Sequence, residues 1–231
     1  MGENMKPVAL LPVKAHSERI PGKNFKLLEG RPLWTWTLGT LLACGEFSTV
    51  AVDTDSPDLM AALAADYPAV QVLPRPEALL GDFTSMNDII AWDMDQLPDA
   101  EVFFQTHVTN PLLSADTIRR ALAAFAARKP GCDALFAADR IQARTYWRDG
   151  RPINHTPGKL RRTQDLEPVF AENSNFFIFT RQGFRDGGNS RLGTKPALFE
   201  TPPMESLEID EPEDFVFVET VLRGMKEGRH G

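Results

Sequence analysis

A chain of 231 residues, 42% hydrophobic and 25% charged, has the material for one α/β domain with a sizeable core. Its formal net charge of −7 excludes a general nucleic-acid binder, because a phosphate backbone demands a basic surface. Two widely separated cysteines (Cys44 and Cys132), no charged-then-apolar leader and no run long enough to span a membrane point to a cytoplasmic protein with reduced thiols and no membrane partner.

Residues 7–13 are almost continuously apolar and predict a buried first strand. The run breaks into a polar loop carrying Lys14, Arg19, Lys23 and Lys26, and helical spacing follows over 32–44. Strand, basic loop and helix is an arrangement by which α/β proteins hold phosphates, with ammonium groups and loop N–H donors aimed at one anion. Neither a Walker loop nor G-x-G-x-x-G is present, and four cations gathered in an acidic protein indicate a small polyanion. Further strands are expected at 49–53, 70–73, 101–105 and 133–138, alternating with helices at 56–66, 85–97 and 114–128. That alternation predicts a mainly parallel sheet covered by helices on both faces. Asp53-Thr54-Asp55 suits either a metal or a turn capping helix 56–66 through Asp55 or Ser56, and the cap is favoured.

From about 139 to 170 the periodicity dissolves, and loops this long inside compact domains are usually functional or pack against something else. Tyr146 and Trp147 within it are costly to leave in water. Strand signals return at 175–179 and around 197–200. A closing helix from Pro212 to Arg223 places Phe215, Val218 and Leu222 on one stripe.

Pro12, Ser17, Ile20, Pro21, Lys23 and Asn24 stand at a characteristic spacing. The stretch Leu10 to Asn24 resembles the signature loop of the acylneuraminate cytidylyltransferase family, the CMP-sialic acid and CMP-ulosonic acid synthetases. That loop reads roughly Pro-Ala-Arg-x-x-Ser-Lys-x-Ile-Pro-x-Lys-Asn, and Lys14 stands where the family usually has Arg. The resemblance implies a GT-A-like (Rossmann-like) nucleotidyltransferase fold over a single domain, 1–231, with 139–170 as an excursion that reaches across a homodimer. It further implies transfer of CMP from CTP to the anomeric hydroxyl of a sialic-acid-like 2-keto-3-deoxy sugar acid, with Mg²⁺ as cofactor and pyrophosphate as the other product.

On that resemblance Pro12, Val13, Lys14, Ser17, Arg19, Lys23 and Asn24 are expected to bind the nucleotide. Lys14 and Lys23 would neutralise phosphate charge as catalytic residues together with Asp210. Arg19 alternatively pairs with Glu18 or Glu29. Near the carboxyl end of the chain, strand alternation would set Glu208 and Asp210 on one face, about 7 Å apart, as a hard-oxygen Mg²⁺ site. The family's pattern there is Asp-Ile-Asp-x-x-x-Asp-Phe, so Asp210 matches and Glu208 replaces the first aspartate. Asp214 reads as a first-turn helix residue.

The run Phe103 to Leu112 empties a buried strand into a polar loop at the carboxyl edge where open α/β sheets collect ligands. The family reads Gln-Pro-Thr-Ser-Pro-Leu there, so His107 takes the place of a Gln near cytosine or sugar, Asn110 that of a Ser, and Thr109 is kept. Ser85, with Asn87 as an alternative, approaches the base, while Arg75 and Asp82 either serve it or pair to hold their loop. Arg162 with Gln164 would hold the acceptor carboxylate, since a guanidinium fork matches its geometry. Asn173 stands for an acceptor hydroxyl contact, although the neighbouring family Arg is replaced around Ala171-Glu172. The general base stays open between a metal-bound water and Asp210. Rival readings are a nucleotidyltransferase for another sugar acid or a phosphonate, a nucleotide-binding protein without catalysis, and a sugar-nucleotide glycosyltransferase.

Overall fold

A computed structural model describes residues 6–17, 19–81 and 83–227. In chain order, β1 (Val8–Val13) leads to a small ribbon of β2 (Leu27–Leu28) and β3 (Arg31–Pro32), then α1 (Leu33–Cys44). There follow β4 (Thr49–Thr54), α2 (Pro57–Asp66), β5 (Gln71–Pro74), α3 (Met86–Asp95), β6 (Val102–Thr106) and α4 (Ala115–Arg128). The chain closes with β7 (Ala134–Ile141), β8 (Val169–Thr180), α5 (Arg181–Asp186), β9 (Pro196–Glu200) and α6 (Pro212–Glu227).

The main sheet has seven strands in the order β5-β4-β1-β6-β8-β7-β9. β1 runs parallel to β4 and β6, β4 to β5, and β7 to β9. β8 alone is reversed, antiparallel to both β6 and β7. Its register pairs Phe176 with Thr106, so the residues just before it, Ser174 and Asn175, lie beyond the carboxyl end of β6. The reversal therefore adds polar side chains to the edge where β1 and β6 empty into loops.

All six residues of β1 are buried, as a central strand covered on both faces requires. Alternation along β6 sends Phe104 to the layer of α1, α2 and α4 and Phe103 to the layer of α3 and α5. Each stacks on a β8 partner, Phe104 on Phe176 and Phe103 on Phe179. A third, smaller cluster joins Ile20, Leu28, Leu33, Leu112, Ile209, Val218 and Leu222, which ties the loop after β1 to α6.

Helix starts follow local chemistry: Ser56, Ser85 and Ser114 each accept a hydrogen bond from an N–H of the first turn. Three expectations change. The segment 139–170 is not irregular throughout, because Asp139–Ile141 continue β7 and pair with Val169–Ala171 of β8. Between them lie a Tyr146–Pro152 bridge and a short 3₁₀ turn, Thr163–Asp165. Residues 207–210 form no strand, and the only backbone link described there is the Ile209 N–H to the Thr109 carbonyl, 2.9 Å. The ribbon β2–β3 and the short α5 carry too few residues to show a period. Among the described residues no helix is long and apolar enough to cross a membrane.

Candidate functional site

The basic loop is held by named contacts on both sides. The Ala15 N–H donates to Asp55 Oδ1 at 2.6 Å, and Asn24 Nδ2 donates to the Lys14 carbonyl at 2.7 Å. Asp55 thus latches the loop while Ser56 caps α2, accepting from the Leu59 N–H. Gly22 sits at φ 64, a left-handed turn that an L side chain rarely adopts, and opens the 3₁₀ turn Lys23–Phe25. Ile20, 2% exposed, fixes the loop to the third cluster.

Lys23 is nearly buried, and its ammonium donates to the Ile209 carbonyl and to Asp210 Oδ1, both at 3.0 Å. Arg19 Nη1 lies 3.2 Å from Asp210 Oδ2 and 3.3 Å from Glu211 Oε1. Asp210 therefore bridges two cations of the loop. Arg19 does not pair with Glu29, which instead takes Arg223 at 2.6 Å, and Glu18 lies outside the described residues. Asp214 Oδ2 accepts from the N–H groups of Asp210 and Glu211, closing the first turn of α6. Glu208 has both oxygens engaged, by the hydroxyls of Thr109 (3.0 Å) and Ser174 (2.5 Å).

Mg²⁺ usually takes one or two carboxylates and completes its shell with phosphate oxygens and water. Asp210, with about a third of its side chain exposed, fits as one such ligand. Glu208 accepts one hydroxyl on each oxygen and keeps a further lone pair on each, so a Mg²⁺ there would share the carboxylate with Thr109 and Ser174. Among the described residues no cluster of three or more His, Cys, Asp or Glu side chains could hold a metal.

Between the basic loop and the residues that follow β6 opens a cleft of about 370 Å³. Pro12, Lys14, Ser17, Arg19, Lys23, Asn24, His107 and Thr109 line it, joined by His16, Met86 and Val108, which sequence reasoning passed over. Larger cavities of about 430 and 420 Å³ lie at the opposite edge of the sheet around Lys6, away from this chemistry, and one of about 380 Å³ lies between Asp139, Arg140, Gln142 and Thr201, Pro203, Ser206. Val13 is fully buried beneath the cleft. Ser85 accepts from the Asn87 N–H as the cap of α3 and stands next to Met86.

Four expected residues lie off the cleft wall. Asn110 is buried, with neither side-chain amide atom hydrogen-bonded. Asn173 donates to Asp139 and Thr201, both at 2.9 Å. Arg162 forms a two-pronged pair with Asp165 (2.7 and 3.1 Å) on the exposed segment before β8, and Gln164 shares its 3₁₀ turn. Periodicity carries no information on such partners, because each choice is made by a residue distant in sequence or by a local turn.

Two buried polar groups support the site from below. Arg75 pairs with Asp53 at 3.0 Å, both nearly fully buried, rather than with Asp82, which lies outside the described residues. Beside them Asp93 is fully buried with neither oxygen hydrogen-bonded, and burial together with the charge on Asp53 pushes it up to about 9. Burial also raises Asp53, against the pull of Arg75. At the cleft wall, burial and then the charge on Arg191 push His107 down to about 3, so its imidazole is neutral at any working pH.

Residues 8–227 match the family model described as Cytidylyltransferase. An N-acylneuraminate cytidylyltransferase of Oncorhynchus mykiss is 29% identical over 96% of this chain, which spans only 52% of that protein's length. A CMP-N,N'-diacetyllegionaminic acid synthase of Legionella pneumophila is 27% identical over 94% of this chain and 97% of its own. Among solved structures, a CMP:2-keto-3-deoxy-manno-octonic acid synthetase complexed with CTP superposes with a TM-score of 0.70 over 95% of this chain and 99% of that one. At 16% identity that likeness is one of fold.

Proposed function

The chain belongs to the cytidylyltransferase family, and on that premise we propose that it transfers CMP from CTP to the anomeric hydroxyl of a sialic-acid-like 2-keto-3-deoxy sugar acid. The observation that carries this reading is the cleft in which Lys23 and Arg19 both rest on Asp210 beside Lys14. A triphosphate entering there competes with Asp210 for the same cations. Its arrival places positive charge on the phosphates and frees a carboxylate for Mg²⁺, which when bound supplies further charge neutralisation.

The anomeric hydroxyl attacks the α-phosphorus and gives its proton to water or to Asp210; the new O–P bond forms as the bond to the β-phosphate breaks, and pyrophosphate leaves with the electron pair. Lys14 and Lys23 hold the phosphates through that charge movement. Asn24, bonded to the Lys14 carbonyl, fixes where the first of them starts from. Pro12, Val13 and Ser17 shape the loop, Ser85 stands toward the base, and His107 and Thr109 toward the acceptor, while Asn110 and Asn173 would act from behind the wall. The acids in the relatives' names, N-acylneuraminate and N,N'-diacetyllegionaminic acid, are the first acceptors to try.

The segment 142–168 is read as the arm of a homodimer in the cytoplasm, on the exposure of Tyr146, Trp147 and Leu160 (54%, 57% and 92%). Such an arm is how Arg162 and Gln164 would reach an acceptor, in the cleft of a second copy. The test is pyrophosphate release with each nucleoside triphosphate, Mg²⁺ and a panel of eight- and nine-carbon ulosonic acids. Release confined to CTP with one acid is expected. Release with another nucleotide, or none with CTP alongside no CTP-dependent rise in melting temperature, rejects the reading.

A further inference from the structure

Behind the cleft wall, three side chains form a sequence of hydrogen bonds whose polarity is forced. Arg191 is packed flat over the Phe177 ring, 4.0 Å from guanidinium carbon to centroid, and its Nη1 donates to Gln105 Oε1 at 2.7 Å. A guanidinium only donates, so the Gln105 atom facing it is the oxygen, and the Gln105 amide nitrogen is turned the other way. That nitrogen donates to the Thr106 carbonyl at 2.9 Å and lies 3.1 Å from His107 Nε2. Arg191 Nη1 itself stands 3.5 Å from the same Nε2. Two donors aimed at one ring nitrogen require that nitrogen to be bare, which leaves the proton on Nδ1.

We propose that Arg191 is a positioning residue that, directly and through Gln105, fixes His107 as a neutral Nδ1–H donor that reads an oxygen of the acceptor sugar acid. The inference rests on the cytidylyltransferase reading of the cleft, which His107 lines. Gln105 is fully buried and pairs with Phe177 across β6 and β8, so the network is part of the sheet rather than a surface arrangement. The His107 backbone is likewise pinned, its carbonyl accepting from Thr37 Oγ1 of α1 at 3.4 Å. No carboxylate among the described residues makes an ion pair with Arg191, and the one opposite charge that acts on it is Glu172, from beyond ion-pair distance. The other charges that act on the ring are Asp210 and Lys23, of opposite sign to each other. A donor fixed in this way offers hydrogen to an acceptor oxygen at every pH of interest, where a free imidazole would alternate between two tautomers and a cation.

Long-range ¹H–¹⁵N spectra of the labelled full chain test the tautomer, with the His107 ring assigned by its disappearance in His107→Gln. A bare Nε2 and a protonated Nδ1 are expected from about pH 5.5 to about pH 8. Arg191→Met is expected to bring in the Nε2–H form and to raise the pH at which the ring protonates, though not to the ordinary imidazole value, because burial is the larger cause of the lowering and remains. Arg191→Lys, which keeps a cationic donor and guards against a Met variant that fails to fold, falls between the two. In turnover with the best acid of the panel, Arg191→Met raises the KM of the acid about tenfold and leaves that of CTP within about twofold. A wild-type ring carrying Nε2–H, or a ring unchanged in both variants, overturns the positioning role. A rise confined to the KM of CTP overturns the acceptor assignment. No pyrophosphate with any acid removes the reading of the cleft and with it the acceptor assignment, while the spectra still decide whether Arg191 sets the ring.

Discussion

The loop of residues 14–26 and the excursion of residues 142–168 look alike as sequence, since each is polar, cationic and without period, yet the structure treats them oppositely. The loop buries Ile20, Lys23 and Asn24 and is tied to two other parts of the chain, through Asp55 and through Ile209-Asp210. Nearly all the excursion's bonds close on itself: Asn154 to the Ala143 and Glu167 carbonyls, Gln142 to Thr163 and Leu166, Arg162 to Asp165. Apart from Leu166, its large apolar side chains Tyr146, Trp147, Ile153 and Leu160 face outward. An irregular segment is therefore finished when its apolar and charged groups have found partners within the chain, and unfinished when its polar backbone is satisfied but its apolar groups are not.

Lys23→Met strikes the finished region hardest. It leaves the Ile209 carbonyl and one oxygen of Asp210 without their donor and removes a charge aimed at the phosphates. Pyrophosphate release is expected to fall about 10²–10³-fold, the scale of losing one transition-state donor. Urea denaturation is expected to show a loss of about 1–3 kcal/mol from the unsatisfied groups. A variant as active as the wild type would mean that the ammonium only braces Asp210. Next comes Ile20→Ala, which empties a fully packed position of the third cluster and is expected to cost about 2–4 kcal/mol in the same urea titration. A cost near zero would show the loop to be held by its polar ties alone.

Much of this was legible in the sequence, for physical reasons. Strands β1, β4 and β6 are buried on both faces, so each carries an apolar run that gives way to polar residues only where β4 and β6 end (Asp53-Thr54 and Gln105-Thr106), and the helices between them carry serine caps. The basic loop announces itself by charge against an acidic background. What composition and spacing do not encode is which of several carboxylates a given cation meets. Arg19 meets Asp210 and Glu211 rather than Glu29 because that choice depends on how the tail after β9 crosses the sheet edge, and Arg75 meets Asp53 because β4 and β5 pair side by side. Arg191 was missed for the same reason: it lies between β8 and β9 in sequence and touches His107 only through the fold.

The excursion offers a smaller but sharper test of the contrast. Replacing Tyr146 and Trp147 together by Ser is expected to leave the melting temperature of the isolated chain nearly unchanged, since both are more than half exposed. If these rings pack on a second copy, the particle mass in sedimentation is expected to halve. A wild type already monomeric at assay concentration would show instead that the outward rings have no partner of their own kind.

The mildest perturbation reaches the loop from below, through pH. Asp93 holds its proton in the folded chain up to about 9, whereas an unfolded aspartate releases it near an ordinary value of about 3.9. The folded state therefore binds more protons across that window, so the contribution of Asp93 is fully present below the lower value and is lost as pH rises toward the upper one. Asp53, raised in the same direction, adds to the loss. Asp93→Asn cannot ionise, and its melting temperature is expected to fall less than that of the wild type between about pH 6 and about pH 9. Because Asp53 and Asp55 flank the same turn, the strain of ionising Asp93 falls on the latch at the Ala15 N–H. Hydrogen-exchange protection of that amide, corrected for intrinsic rate, is expected to decline with pH in the wild type and not in Asp93→Asn. Thr145, whose N–H is held within the excursion by Asn154 Oδ1, is expected to hold its protection in both. Equal decline at Ala15 and Thr145 would mean that pH acts on the whole chain and that the two regions do not differ in what supports them.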